Sequence, residues 1–448
     1  VTMEQLKVGY LPLVKGSWVN GKQEIRRAEV IGMFSKLDAE IVEEGRIIVT
    51  EEEANSSIEK FEKERVDAVI VHFLSFALGA VVPAAARRLG VPVIFWSEPE
   101  PPWDGGRIQK NSFCGTNCNA HALWKMRLPY TFVYGEGPEA VESIGRKLRV
   151  VAAVKGLRNL RIGSVGGRVP GFYASNYDEL QLLDTFGIST EKLTMLEVVE
   201  RARKIFADSA EPCAPVADPI RSFDITDEER RRLKALFQAF VETAKKYRLD
   251  AFAIRCWPEF SDIYGIGVCA LIGLLNEAGF VTGCEGDMIG TVTMKLGSLL
   301  VPGEKPFFCD LISFDEQANT GVVWHCGAAA PSLCRGGCEP RFCKHSIIDG
   351  GGVKGVSCEF PLKPGRVTLM RIGEDRDGGY RLFMAAGTAL ETEQLLRGTP
   401  LQIKFDEKVS DLIETIIDEG VEHHYALIHG DVTAELKLFA KWMGIQII

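Results

Sequence analysis

Asp67-Ala68-Val69-Ile70-Val71 and Pro92-Val93-Ile94-Phe95-Trp96 are apolar runs without alternation, the first behind the charged helical stretch Glu51 to Arg65, the second behind Val81 to Leu89. A strand with one wet face alternates polar and apolar residues, so an unbroken run means burial on both faces. Strands of that kind separated by helices form a parallel, doubly wound sheet. Upstream, Lys7-Val8-Gly9-Tyr10-Leu11 reads as the opening strand, and Glu24 to Leu37 has a helical period. The pattern restarts near Asn159. Arg161-Ile162-Gly163-Ser164-Val165 is a strand followed by the turn Gly166-Gly167-Arg168-Val169-Pro170-Gly171. Thr226 and Glu229 form a capping box that opens an amphipathic helix, with Leu233, Leu236, Phe237, Phe240 and Val241 on one face. Ala251-Phe252-Ala253-Ile254 is another buried strand. Gly and Pro become dense between 327 and 366, and alternating strands follow at Arg366 to Ile372 and Tyr380 to Ala385. These are marks of a mainly antiparallel, barrel-like β domain closed by C-terminal helices. The expected organisation is an N-terminal α/β domain over 1–157, a second α/β domain over 158–300 and a C-terminal β domain over 301–448.

The composition agrees with a globular chain. Of 448 residues 46% are apolar and 25% charged, which excludes disordered, fibrous and disulfide-stapled classes. Lys and Arg number 52 against 61 Asp and Glu, a net charge of −9 with no long basic run, which argues against nucleic acid or an anionic membrane as partner. No apolar stretch approaches the roughly 18 residues of a membrane span. The opening Val1-Thr2-Met3-Glu4-Gln5 carries no export signal, so the 12 cysteines are expected to be reduced thiols in a cytoplasmic protein.

Four places carry candidate chemistry. Glu285, in Gly283-Cys284-Glu285-Gly286-Asp287-Met288, follows the apolar strand Phe280 to Thr282 and precedes a helix beginning near Ile289. The C-terminal end of a buried strand is where α/β folds place their chemistry, although a turn acid or helix cap also suits that position, Asp287 most of all. Asp310 stands inside Phe307-Phe308-Cys309-Asp310-Leu311-Ile312 with no Lys or Arg beside it. A lone buried carboxylate is costly, so Asp310 faces either solvent or a metal. His325 ends the apolar strand Val322-Val323-Trp324, where a lone histidine is more often a satisfied core residue than a ligand. Glu422-His423-His424-Tyr425 follows a helix ending near Gly420. Neighbours in an extended segment point to opposite faces, so one histidine of that pair is expected at a given site. Two carboxylates and two imidazoles make a mixed O/N set suited to Mn²⁺, Co²⁺, Fe²⁺ or Mg²⁺, with positions left for a bidentate substrate.

Other signals are read structurally. Cys334, Cys338, Cys343 and His345 have a spacing unlike zinc fingers or ribbons and read as buried thiols of a loop. The Gly166-Gly167-Arg168 turn lacks a phosphate-binding fingerprint, and Asp227 to Arg232 is a solvated helix face.

The order and spacing of Cys284-Glu285-Gly286-Asp287, Gly290-Thr291-Val292-Thr293-Met294, Asp310, Trp324-His325 and His423-His424 resemble the L-fucose isomerase / L-arabinose isomerase superfamily of metal-dependent aldose–ketose isomerases. The acids 25 residues apart, Glu285 and Asp310, are similar to the fucose isomerase pair, and His325 and the Gly420 to Ile447 ending to arabinose isomerase. The resemblance implies two Rossmann-like α/β domains followed by a β domain. It implies a site that holds Mn²⁺ (or Co²⁺, Mg²⁺, Fe²⁺) on Glu285, Asp310, His325 and His424, with the two acids as acid/base pair around an enediol. It further implies a homo-oligomer, a hexamer, in which a neighbour's N-terminal domain closes the site, with His121 on the substrate side. Trp18 and Trp96 are candidate sugar-stacking faces, each also readable as a core aromatic. The competing classes are a sugar-binding or sensor protein, which would bind without turnover, and a metal-dependent aldolase or hydrolase acting on polyols.

Overall fold

The computed structural model describes residues 5–77, 79–208, 222–345 and 355–448; the leading residues 1–4, from which the missing export signal was read, lie outside them. Two compact units divide the chain, residues 1–155 and 156–448.

The first unit alternates β1 (Leu6–Leu13), α1 (Lys22–Phe34), β2 (Ala39–Val42), α2 (Glu51–Glu64), β3 (Ala68–Phe73), α3 (Val81–Leu89), β4 (Val93–Ser97), α4 (Ser112–Lys125), β5 (Tyr130–Tyr134) and α5 (Gly137–Arg158), whose end runs into the second unit. The five strands form one wholly parallel sheet, ordered β2-β1-β3-β4-β5. Odd-numbered strand residues (Leu11, Leu13, Val69, Val71, Phe73, Val93, Phe95) share a core with Ala54 and Phe61 of α2, Val82 and Ala86 of α3, and Leu123 of α4. The opposite parity meets α1, where Phe34 packs edge-on against Tyr10 and near Trp96. That is why the runs do not alternate: both faces are covered.

The second unit opens with a parallel sheet of β6 (Arg161–Val165), β7 (Ser189–Leu193), β9 (Ala251–Ile254) and β10 (Val281–Gly283), ordered β10-β9-β6-β7. Its helices are α6 (Glu179–Phe186), α7 (Met195–Asp208), α8 (Asp227–Tyr247), α9 (Cys269–Glu277) and α10 (Met288–Leu300). The capping box at α8 forms as read, Thr226 Oγ1 accepting from Glu229 N and Glu229 accepting from Thr226 N. β8 (Ser222–Asp224) instead joins β13 (Arg341–Lys344) and β14 (Val356–Glu359) in a small sheet that the sequence reading did not anticipate.

The remaining strands close a barrel. β11 (Phe307–Asp315), β12 (Thr320–Trp324), β15 (Gly365–Glu374), β16 (Tyr380–Ala389), β17 (Leu401–Phe405) and β18 (His424–His429) are antiparallel neighbours in the ring β15-β18-β11-β12-β17-β16, and the β15–β16 pairing shuts it. Closure removes the exposed edges an open sheet would carry. A two-residue strand, β19 (Gln446–Ile447), adds to β16 behind helices α11 (Val409–Asp418) and α12 (Thr433–Met443). Helix α10 joins barrel and parallel sheet. It touches β9 and β10 on one side and β11, β15 and β18 on the other. All but Lys295 and Ser298 of it are buried, as a helix apolar all round must be. Among the described residues no helix is long and apolar enough to cross a membrane.

Candidate active site

The N-terminus of α10 organises the site. β10 ends at Gly283, and the chain turns through Glu285 (φ 57°) and Gly286 (φ 72°) before the helix begins. A non-glycine residue in the left-handed region is strained, and such strain concentrates where a side chain has to be aimed. At Gly286 glycine is required twice over, by φ and because a Cβ there would collide with the Gly167 carbonyl. The turn is tied to the end of β9 by Gly286 N donating to Ile254 O at 2.9 Å.

Asp287 is the helix cap the sequence suggests, accepting from Gly290 N at 2.7 Å. It does more. Arg371 of β15 donates to its two oxygens at 2.6 and 3.3 Å, and His424 Nδ1 lies 3.0 Å from Oδ2. Both partners of the ion pair are buried, at 0% and 1% exposure. Burial pushes the Asp287 carboxyl up; Arg371 and His424 outweigh it and hold it well below the ordinary carboxylate range.

The barrel register brings the remaining candidates together. Asp310 of β11 stands opposite His424 of β18 on one side and Trp324 of β12, next to His325, on the other. His424 Nε2 lies 3.0 Å from Glu285 Oε2 and 3.9 Å from Asp310 Oδ1. Asp310 Oδ1 is buried with no hydrogen-bond partner. The His325 ring centroid is 6.5 Å from that of His424. Trp257 Nε1 donates to Glu285 Oε1 at 3.4 Å. Burial raises the Glu285 carboxyl, but the hydrogen bond and charge of His424 hold it below its ordinary value. Burial disfavours the His424 cation, and its bonds to Asp287 and Glu285 raise it all the same. His325 is raised to about 10: burial lowers it, and the charge and hydrogen bond of Cys326, with Asp310 and Glu285, prevail.

His423 departs from the sequence reading. It precedes β18, its Nε2 lies 4.0 Å from Glu285 Oε2, and its ring centroid is 3.8 Å from that of His424. The opposite-faces rule holds for extended backbone, and the strand begins only at His424. Asp287 as an orienting residue, Arg371 and Trp257 were not singled out from sequence. An arginine inside an apolar strand, Leu369-Met370-Arg371-Ile372, was the available signal for the buried ion pair.

The donor set suits a hard or borderline divalent ion. An orphaned carboxylate oxygen sits among imidazole and carboxylate donors, and a histidine whose other nitrogen rests on a buried carboxylate is the arrangement metal-binding histidines adopt.

The remaining candidates lie in the first unit. Trp96 is fully buried, its ring centroid 3.9 Å from that of His72 and its Nε1 donating to Gly135 O, so as a core aromatic it has no face for a sugar. Trp18 is half-buried beneath the Arg107 guanidinium. His121 is exposed on α4. The loop cysteines do not gather: Cys334 Sγ donates to backbone carbonyls, Cys343 meets Ser357, and His345 turns instead to Cys269.

A parallel-sheet layer joined by one buried helix to a closed barrel, with acids and imidazoles at the junction, places a cluster of ionisable side chains where two layers meet, and comparison with known proteins gives the class. Residues 9–158 match the fucose/sulfoquinovose isomerase N-terminal domain, and residues 324–448 match the L-fucose isomerase C-terminal domain. The chain is 34% identical over 387 residues to a sulfoquinovose isomerase of Alkalicoccus urumqiensis, covering 85% of this chain and 86% of that protein. It is 28% identical to one of Priestia aryabhattai over 99% of both chains. An L-arabinose isomerase of Aeromonas hydrophila is more distant, 23% identical over 72% of this chain and 67% of that protein. The protein is an aldose–ketose isomerase acting on small sugars. It belongs to the fucose/sulfoquinovose isomerase family.

Proposed function

We propose that this enzyme is a divalent-metal-dependent isomerase converting sulfoquinovose to its ketose through an enediol. The substrate is taken from the relatives named above, two of them sulfoquinovose isomerases. Glu285, Asp310, His325 and His424 would hold the ion, Mn²⁺ by preference, with Co²⁺, Mg²⁺ or Fe²⁺ as alternatives. The observation that carries the reading is Asp310 Oδ1, a buried carboxylate oxygen with no protein partner, 3.9 Å from a histidine that also touches Glu285.

The reaction moves one proton from C2 to C1 and another between O2 and O1. The C–H bond is weakly acidic, so removal of its proton needs a positioned base and stabilisation of the oxygens. When bound, the ion acts as a Lewis acid toward those oxygens. Glu285, held ionised by His424, is competent to accept a proton, and Asp310 is the second carboxylate of the relay; either can serve as the base. Asp287 holds His424 by Nδ1, which leaves Nε2 for the site. Trp257 fixes one Glu285 oxygen and so restricts its swing.

In the same proposal the chain acts as three domains, 1–157, 158–300 and 301–448, the α/β pair Rossmann-like. It assembles into a cytoplasmic homo-oligomer, a hexamer, in which His121 and Trp18 serve the substrate side. Free thiols at all eleven described cysteines support a reducing compartment.

The test incubates Mn²⁺-loaded protein with sulfoquinovose, L-fucose and L-arabinose and assays ketose, with an EDTA-treated control and Glu285→Gln. Ketose from sulfoquinovose above all, lost in both controls while circular dichroism is unchanged, is expected. Undiminished turnover by Glu285→Gln would refute the proton relay.

A further inference from the structure

We propose that Cys269, Cys326 and His345 form a second metal site, one for zinc or another thiolate-preferring divalent ion. The three come from distant parts of the chain. Cys269 is the first residue of α9, Cys326 lies two residues past β12, and His345 follows β13 directly. Backbone pairing brings them together: His345 N donates to Gly355 O at 3.0 Å, and Gly355 bridges Gly267, two residues before Cys269.

The donor atoms converge. Cys269 Sγ lies 3.2 Å from Cys326 Sγ and 3.1 Å from His345 Nε2. Cys269 and His345 are 0% and 1% exposed, and Cys326 is half-buried. A sulfur pair at 3.2 Å is not a disulfide, whose bond is about 2.05 Å. A tetrahedral zinc ion, with Zn–S near 2.3 Å and Zn–N near 2.0 Å, spaces its donors by roughly 3.5–3.8 Å. The triangle therefore needs to open by only about half an ångström to seat the ion.

Chemistry separates this cluster from the one around Glu285. Thiolates select soft or borderline ions, whereas carboxylates with imidazole suit manganese or magnesium. Among the described residues two groups of three donors lie close enough to hold an ion, Cys269 with Cys326 and His345, and Glu285 with His423 and His424. Three protein ligands leave one tetrahedral position, which water can fill.

A consequence reaches the neighbouring site. Cys326 Sγ lies 3.4 Å from His325 Nδ1. A thiolate that accepts from Nδ1–H leaves Nε2 with the lone pair, so the zinc site would set the tautomer of His325. This consequence rests on the proposed role of His325; the metal site does not.

The test uses the full chain and does not read activity. Protein purified without chelator is analysed for metal, then loaded with Co²⁺ and examined for a thiolate-to-cobalt charge-transfer band, which oxygen and nitrogen donors do not give. The expected result is about one equivalent of retained zinc and a clear band, both lost in Cys269→Ser and in His345→Gln and both kept in Glu285→Gln. Circular dichroism guards against unfolding, and Cys326→Ser, at the more exposed position, is a third variant. Absence of retained zinc together with absence of the band would overturn the site. So would a band that survives the Cys269 and His345 substitutions, or recovery of a Cys269–Cys326 disulfide from protein free of zinc.

Discussion

The carboxylate of Asp287 lies 3.0 Å from His424 Nδ1, while Nε2 of the same ring lies 3.0 Å from Glu285 Oε2. One buried acid thus decides which nitrogen of His424 faces the site. Asp287→Asn keeps the shape and the oxygen that caps α10, but its amide can donate to Nδ1 and turn the proton toward Glu285. The same change of tautomer is what disables a catalytic triad when its aspartate becomes asparagine. Mn²⁺ affinity is expected to fall by about 10- to 100-fold, measured by isothermal titration of the apoprotein. Unchanged affinity would remove Asp287 from the site.

Arg371 predicts a stability effect. Its guanidinium is 1% exposed and its partner Asp287 is 0% exposed. Truncation leaves a buried carboxylate without its cation, a change costing about 3–5 kcal/mol. Arg371→Ala should lower the unfolding free energy measured in urea by that amount, and a loss below about 1 kcal/mol would show that water reaches Asp287.

Much of this was legible in sequence, for physical reasons that can be named. The strands β3, β4 and β9 showed as unbroken apolar runs because both their faces are covered. Glu285 stood out because it ends a buried strand, and Asp310 because no cation adjoins it. The barrel's closure was less visible, since β15, the hairpin partner of β16, must also pair with β18, a segment more than fifty residues further along the chain. Convergence on His424 was invisible for the same reason: Asp310 meets it through cross-strand register, and no local pattern encodes that. His423 was misjudged because the rule applied to it assumes that it lies within the strand, which starts one residue later, at His424.

The first unit should carry the acid sensitivity of the fold. Glu98, 2% exposed, accepts from Arg26 at 2.7 Å and from Lys110 at 2.9 Å and lies 3.4 Å from His72. Burial raises its carboxyl, and His72 and Lys110 outweigh that and hold it well below the ordinary range. Its contribution is therefore present above the unfolded value of about 4.3 and is lost as pH falls through the folded one. His72 is depressed chiefly by burial, so its contribution too is present above its unfolded value of about 6.5 and declines below it. Both act on the acid side. Glu98→Gln should destabilise the unit at neutral pH, where Arg26 and Lys110 lose their partner, and flatten the fall in urea midpoint between about pH 5 and 3. A variant with the wild-type slope would refute the assignment.

Metal should also stabilise the second unit, and the size of the effect is calculable. An ion that binds only the folded chain adds RT ln(1 + [L]/Kd), about 2.7 kcal/mol at one hundred times Kd. The barrel strands β11 and β18 and the turn between β10 and α10 all supply residues to the cluster, so their separation on unfolding releases the ion. Mn²⁺ at that excess is expected to raise the melting temperature of the wild type by a few degrees. The shift should vanish in His424→Ala and shrink in Asp310→Asn, the residue whose oxygen has no protein partner. EDTA should return the wild type to the apoprotein value. A shift of equal size in His424→Ala would place the ion elsewhere, and the Cys269 cluster would be the next place to look.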